Sequence, residues 1–156
     1  MDMSADRIPI DAEEALSKYG ISASHEQMGN GELRFRLMGS DGNGYIRTVA
    51  SSACWQNAHF HKVTAETYIV ERGWMALAYE GPCRAISILF YEPGQIVTTE
   101  ILRPHNIYLP AGGLIHTVKH GSLAAQSDWY AAPDFDIKTQ SLSEDDLIEA
   151  RVKSAR

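Results

Sequence analysis

The stretch His59-Phe60-His61-Lys62-Val63-Thr64-Ala65-Glu66, with Gly73 seven residues beyond, sets three metal-ligand side chains ahead of a tight turn. On a β-strand successive side chains alternate faces, so His59 and His61 project to the same side and can hold one ion between them. Residues 62–65 supply the turn that brings Glu66 back. Residues 66–72 then read as the next strand, since Thr67, Tyr68, Ile69 and Val70 are all good strand formers.

A fourth ligand is expected from His116. It sits in Leu109-Pro110-Ala111-Gly112-Gly113-Leu114-Ile115-His116, where a Pro-Gly-Gly turn delivers an apolar strand. Three imidazoles and one carboxylate suit a divalent first-row ion such as iron, manganese, zinc or nickel, with positions left open if the ion is octahedral. Affinity alone would favour copper or zinc, whereas cellular supply could place iron, manganese or nickel there.

These two segments resemble the motifs of the cupin superfamily. The first motif, glycine, five residues, His-x-His, three or four residues, Glu, six residues, Gly, is matched at every ligand position from His59 to Gly73, with Ala53 in place of the leading glycine. The second motif, glycine, five residues, Pro-x-Gly, two residues, His, three residues, Asn, is matched more loosely. Pro104 replaces its glycine, one extra residue separates Pro110 from His116, and His120 stands where the asparagine is usual. The resemblance spans roughly residues 45–130 and implies an all-β fold, a double-stranded β-helix or jelly-roll barrel, with the metal in its lumen.

The 156 residues are one domain's worth of chain. We expect a helical extension over 1–30, the barrel over 31–132, and a tail over 133–156 with a short helix. Asp11 caps a first helix that Gly20 stops, and the acidic run Glu144-Asp145-Asp146 opens a second near the end. Between them short strands are expected near 33–37, 45–50, 55–61, 66–72, 74–79, 85–91, 95–102, 106–109, 115–119 and 128–131. In the first of these Leu33, Phe35 and Leu37 alternate with Arg34 and Arg36, and the arginines are expected to face solvent.

Lys plus Arg number 14 against 20 Asp plus Glu, for a formal charge of −6, and no basic run offers a footprint for nucleic acid. The apolar stretches fall short of a membrane span, and the first seven residues lack the apolar core of a signal peptide, so a cytoplasmic protein is expected. Cys54 and Cys83 lack the spacing of a disulfide framework or a zinc knuckle and read as reduced.

Parity assigns the remaining candidates. His120, four residues after His116, shares its face and can serve as general base or proton shuttle, unless Lys119-His120-Gly121 is already an exposed turn. Tyr68 shares parity with Glu66 and can orient a substrate or donate to a metal ligand. Trp55 and Asn57 share parity with His59 and could offer a ligand a stacking face and an amide. His105, just after Pro104, reads as a histidine at the barrel mouth with a ligand contact.

A metal-dependent enzyme acting on a small oxygenated molecule is the leading expectation, with sugar or sugar-phosphate isomerase-type chemistry ahead of an Fe(II) dioxygenase. Binding a small ligand without turnover is the alternative class. A homodimer is expected, because barrel edges and exposed apolar strands need cover.

Overall fold

Strand-forming residues alternate with turn formers through most of the chain, and among the described residues the strands they produce all pair antiparallel. The computed structural model describes residues 10–121 and 128–156; the amino-terminal residues read above for a signal peptide lie outside that set. The described elements are α1 (Ala12–Tyr19), β1 (Ile21–Gln27), β2 (Glu32–Gly39), β3 (Gly44–Ala50), β4 (Cys54–Trp55), β5 (His59–Phe60), β6 (Ala65–Arg72) and β7 (Met75–Glu80). After a single 3-10 turn follow β8 (Ile86–Tyr91), β9 (Ile96–Thr98), β10 (His105–Leu109), β11 (Leu114–His120), β12 (Tyr130–Ala131), α2 (Pro133–Gln140) and α3 (Glu144–Ser154).

Two antiparallel sheets face each other, in the order β1-β2-β3-β11-β6-β9 and β12-β5-β10-β7-β8, with β4 beside β10. This is the jelly-roll arrangement expected. Sheet pairing buries a lumen core of Ala50, Tyr68, Val70, Met75, Leu77, Ile107, Leu109 and Ile115. Strand β6 shows why: Glu66, Tyr68 and Val70 are buried while the residues between them are half-exposed, the period of two that a half-buried strand requires. Gly73 closes β6 onto β7 with φ +78°, a conformation that favours glycine, and a Cβ there would also crowd the Gly113 Cα at 3.2 Å.

A second core lies on the other side of the β12-β5-β10-β7-β8 sheet, where Trp55, Ala58, Trp74, Ala76, Ala78 and Tyr108 pack against Phe135 of α2 and Leu147 of α3. Helix α2 did not emerge from the sequence. Pro133 in its first turn, with φ already set for a helix, and the acidic Asp134 and Asp136 are the signals that start it. Helix α3 begins as expected, with Ser143 and Asp146 forming a reciprocal capping box. Helix α1 also runs as expected from the Asp11 cap to the left-handed Gly20.

Three expectations are corrected here. Residues 21–27, placed in a helical extension, form β1, an exposed edge strand paired to β2. The strand expected over 55–61 is broken at 56–58, and the break changes which face each side presents. Strand β2 is turned over: Arg34 and Arg36 lie opposite the buried Thr48 and Ile46, whereas Leu33 and Leu37 are 49% and 40% exposed.

Candidate metal and ligand site

Four buried residues on three strands and one turn converge within the lumen. The Nε2 atoms of His59, His61 and His105 lie 3.5, 3.3 and 3.3 Å from Glu66 Oε2. One potential ligand atom from each of the four sits within 4.8 Å of all the others. Donors on opposite sides of a first-row ion stand about 4.2 Å apart at bond lengths of about 2.1 Å, so a small inward shift of the side chains closes the group on an ion.

The chemistry of the donors fits an ion as well as their spacing does. Each imidazole is tied at its other nitrogen to a backbone carbonyl: His59 Nδ1 to Asn57 O at 2.8 Å, His105 Nδ1 to Arg103 O at 3.0 Å, and His61 Nδ1 to Asp128 O. A carbonyl only accepts, so each Nδ1 carries the hydrogen and each Nε2 presents a lone pair. Three lone pairs aimed at one carboxylate repel unless a cation stands among them. His61 Nε2 is moreover fully buried and has no hydrogen-bond partner among the described residues, a cost a bound ion removes.

Electrostatics favour the metal-binding protonation state at His59 and Glu66. Burial pushes the His59 imidazole below its ordinary range, outweighing the opposite pull of Glu66, so the ring stays neutral near pH 7. Burial also pushes the Glu66 carboxyl up, but its close polar contacts with His105, His59 and His61 and the charge of Lys119 prevail and hold it well below the usual range. Tyr68 donates its hydroxyl to Glu66 Oε2 at 2.5 Å, and Lys119 Nζ lies 3.3 Å from Oε1. The Tyr68 phenol is raised well above its ordinary value by burial and by the adjacent carboxylate, so it remains a donor.

His116 is not part of this group. Ile115, Thr117 and Lys119 of β11 lie opposite Val70, Tyr68 and Glu66 on the lumen face, which leaves His116 on the outer face. There its Nε2 bonds Glu71 Oε2 at 2.5 Å and its Nδ1 bonds the Tyr45 hydroxyl at 2.7 Å. The extra residue in the turn after Pro110 accounts for the change, since one residue inverts every side chain that follows. His105 supplies the third imidazole instead. It pairs with His59 across β10 and β5 and is 2% exposed, buried in the lumen where the sequence reading put it at the mouth.

His120 follows His116 to the outer face, where it is exposed and bonded through Nε2 to Thr67 Oγ1 at 2.8 Å. Lys119 holds the inward position next to it. Trp55 is also displaced: it packs in the helix-covered core against Tyr108 and donates Nε1 to Leu142 O, because the break at 56–58 puts it out of phase with His59. Asn57 remains at the site, holding His59 through its carbonyl and lining the adjacent cavity.

That cavity, about 380 Å³, opens beside His59 between Asn57, Arg34, Arg36 and Trp129. A smaller one of about 90 Å³ continues from the same arginines to Glu66, Tyr68, Thr117 and Lys119. Trp129 is stacked on the His59 ring, centroids 5.4 Å apart and planes 26° from parallel. Its neighbour Asp128 accepts from the backbone N–H groups of Lys62, Val63 and Thr64, which fixes the turn between His61 and Glu66.

Sheet order, lumen core and site together define a cupin fold. Solved structures agree: KdgF from Halomonas sp. aligns with TM-score 0.53 and 14% identity over 65% of this chain and 86% of that one. Oxalate decarboxylase from Bacillus subtilis aligns with TM-score 0.59 and 14% identity over 84% of this chain and 34% of that one. The CENP-C cupin domain of Drosophila melanogaster gives 0.53 and 12% over 72% and 82%. No family model and no curated protein sequence matches the chain. No helix among the described residues is long and apolar enough to cross a membrane.

Proposed function

We propose that this protein is a metal-dependent cupin that binds a small oxygenated molecule at an ion held by His59, His61, Glu66 and His105, and that it moves a proton on that ligand in isomerase-type chemistry. The observation that carries this reading is the convergence of three Nε2 lone pairs on one ionised carboxylate oxygen, each ring locked in the required tautomer. A divalent transition ion bound there supplies Lewis acidity toward a carbonyl or hydroxyl oxygen.

The protein's own groups do the rest. Tyr68 fixes Glu66 Oε2 and keeps the carboxylate aimed at the imidazoles. Lys119 holds its ammonium against Oε1 and is the amine placed to carry a proton to or from a ligand oxygen in the smaller cavity. His59 and Trp129 wall the entrance and limit water. The outward placement of His120 favours a second reading, binding without turnover, because the imidazole base expected at the ion is not there.

A cytoplasmic homodimer is part of the same proposal. The outer face of the β1-β2-β3-β11-β6-β9 sheet leaves Leu33 and Leu37 exposed on an edge pair of strands, and both cysteines are free. Light scattering on the purified protein tests the dimer.

Elemental analysis of the purified protein beside a His59→Ala, His61→Ala double variant tests the metal. Near-stoichiometric metal that the variant loses is the expected result, and iron would redirect the search from isomerisation to dioxygen chemistry. Metal absent from both, even after reconstitution, overturns the reading. Proton exchange into candidate sugars, followed by NMR in deuterated water, then separates turnover from binding alone.

A further inference from the structure

Strand β2 breaks the rule that its own sequence pattern sets. Leu33, Phe35 and Leu37 alternate with Glu32, Arg34 and Arg36, and ordinary burial would put the leucines inside. The structure does the reverse. Glu32 is fully buried, the Arg34 and Arg36 side chains are 15% and 24% exposed, and both arginines line the two cavities beside the metal group. Charged groups are costly to bring out of water, so a strand that takes them in and leaves leucines out does so for something the lumen must hold.

The two arginines are used differently. Arg34 directs Nε and Nη2 to Glu32 Oε2, at 3.0 and 2.5 Å, while Gln56 donates to the other oxygen of Glu32. That guanidinium is largely engaged. Arg36 is anchored through Nε alone, at 2.6 Å from Glu26 Oε2, and among the described residues its two terminal nitrogens have no partner. A guanidinium steadied at Nε and open at its far edge is a ready receptor for a two-oxygen anion.

Charge balance points the same way. A divalent ion at the site meets one carboxylate, that of Glu66, and Lys119 adds a further positive charge beside it. A neutral ligand would leave this surplus uncompensated in a partly desolvated cavity, whereas an anion cancels it.

We infer that the ligand of this site is a small oxygenated anion whose carboxylate or phosphate head is held by Arg36 at the cavity mouth while its neighbouring oxygen reaches toward His59 and Glu66. The inference rests on the metal-dependent reading of the same cavity and names the ligand's chemical class. It makes Arg36 a binding residue, with Glu26 positioning its guanidinium and Trp129 covering the ligand.

Calorimetric titration of the protein with glycolate, inorganic phosphate and ethylene glycol tests this, with metal content measured on every sample. Glycolate or phosphate should bind and the neutral diol should not; which anion binds more tightly identifies the head. Arg36→Gln should weaken the anion about tenfold or more, the scale of one charge-assisted pair, and Arg36→Lys should recover part of the loss. Metal content and the thermal unfolding midpoint should be unchanged in both variants, which separates lost binding from lost folding. Equal binding of the diol, no binding of either anion, or wild-type anion affinity in a folded Arg36→Gln overturns the inference. Metal-free samples would sink only the metal reading, because the comparison of wild type with Arg36→Gln still reports on the arginine.

Discussion

His105 Nε2 lies 3.3 Å from Glu66 Oε2, although the two residues stand on strands of opposite sheets and 39 positions apart in the chain. An ion shared by the two would tie the sheets together at the site. His105→Ala should therefore release metal as completely as His59→Ala, whereas His116→Ala, whose ring bonds Tyr45 and Glu71 on the outer face, should keep it. Metal per chain by elemental analysis decides between them, and retention in His105→Ala would exclude this residue as a ligand.

Removing the ion should cost stability. With the ion gone, the three lone pairs face Glu66 and His61 Nε2 stays buried without a partner among the described residues. A chelator should lower the unfolding midpoint of the native protein and leave that of the His59→Ala, His61→Ala variant unmoved, since an ion that binds only the folded chain stabilises it by mass action. Calorimetric scans with and without chelator provide the comparison.

Tyr68→Phe removes one hydroxyl from Glu66 and nothing from the lumen packing. Loss of such an outer hydrogen bond typically weakens metal affinity about 10-fold to 100-fold. Competition against a chromophoric chelator should show a drop of that order with the ligands all present. Unchanged affinity would mean that Lys119 alone is enough to orient the carboxylate.

Asp128 gives a pH signature. Burial pushes its carboxyl up, but the backbone bonds from Val63, Lys62 and Thr64 prevail and hold it at about 2. The unfolded chain titrates near its ordinary value, about 3.9, and so binds more protons than the folded chain between the two values. The stabilisation is thus complete above about pH 4 and is lost as the pH falls toward about 2. Asp128→Asn should be less stable than wild type at neutral pH, with the gap closing across that interval. Urea midpoints measured along the acid limb would show it, and a gap that stays constant would assign the loss to shape and not to charge.

Leu147→Ala tests the helix-covered core separately from the site. Leu147 is fully buried, so truncation should cost about 2–5 kcal/mol, and metal content should not change. A variant that unfolds with the expected loss but also sheds metal would show that the two cores are coupled.

The barrel and most of the ion site could be read from the chain, because His59, His61 and Glu66 depend only on strand alternation and one short turn. His116 and His120 were misplaced by a single residue in the Pro110 turn, to which a period of two is wholly sensitive. His105 could have been found: it shares parity with Ile107 and Leu109, which are lumen residues, while Tyr108 is not. Trp55 was lost at the break over 56–58, where no residue signals that the strand stops. Arg34 and Arg36 were beyond reach of pattern, since the hydrophobic alternation of β2 points the wrong way and only the partner strand β3 reveals which face is inside.

Strand β10 serves two compartments at once. All five of its residues are buried, His105, Ile107 and Leu109 toward the lumen, Asn106 and Tyr108 toward the helices, where the Asn106 amide donates to Thr139 Oγ1 at 2.8 Å. A slip by one residue would put an amide at the ion and an imidazole among the helices, so the same error would be penalised on both sides. The carboxy-terminal helices thereby act as a proofreader of the metal site, and an insertion or deletion harmless in the loops on either side of β10 would be ruinous within it.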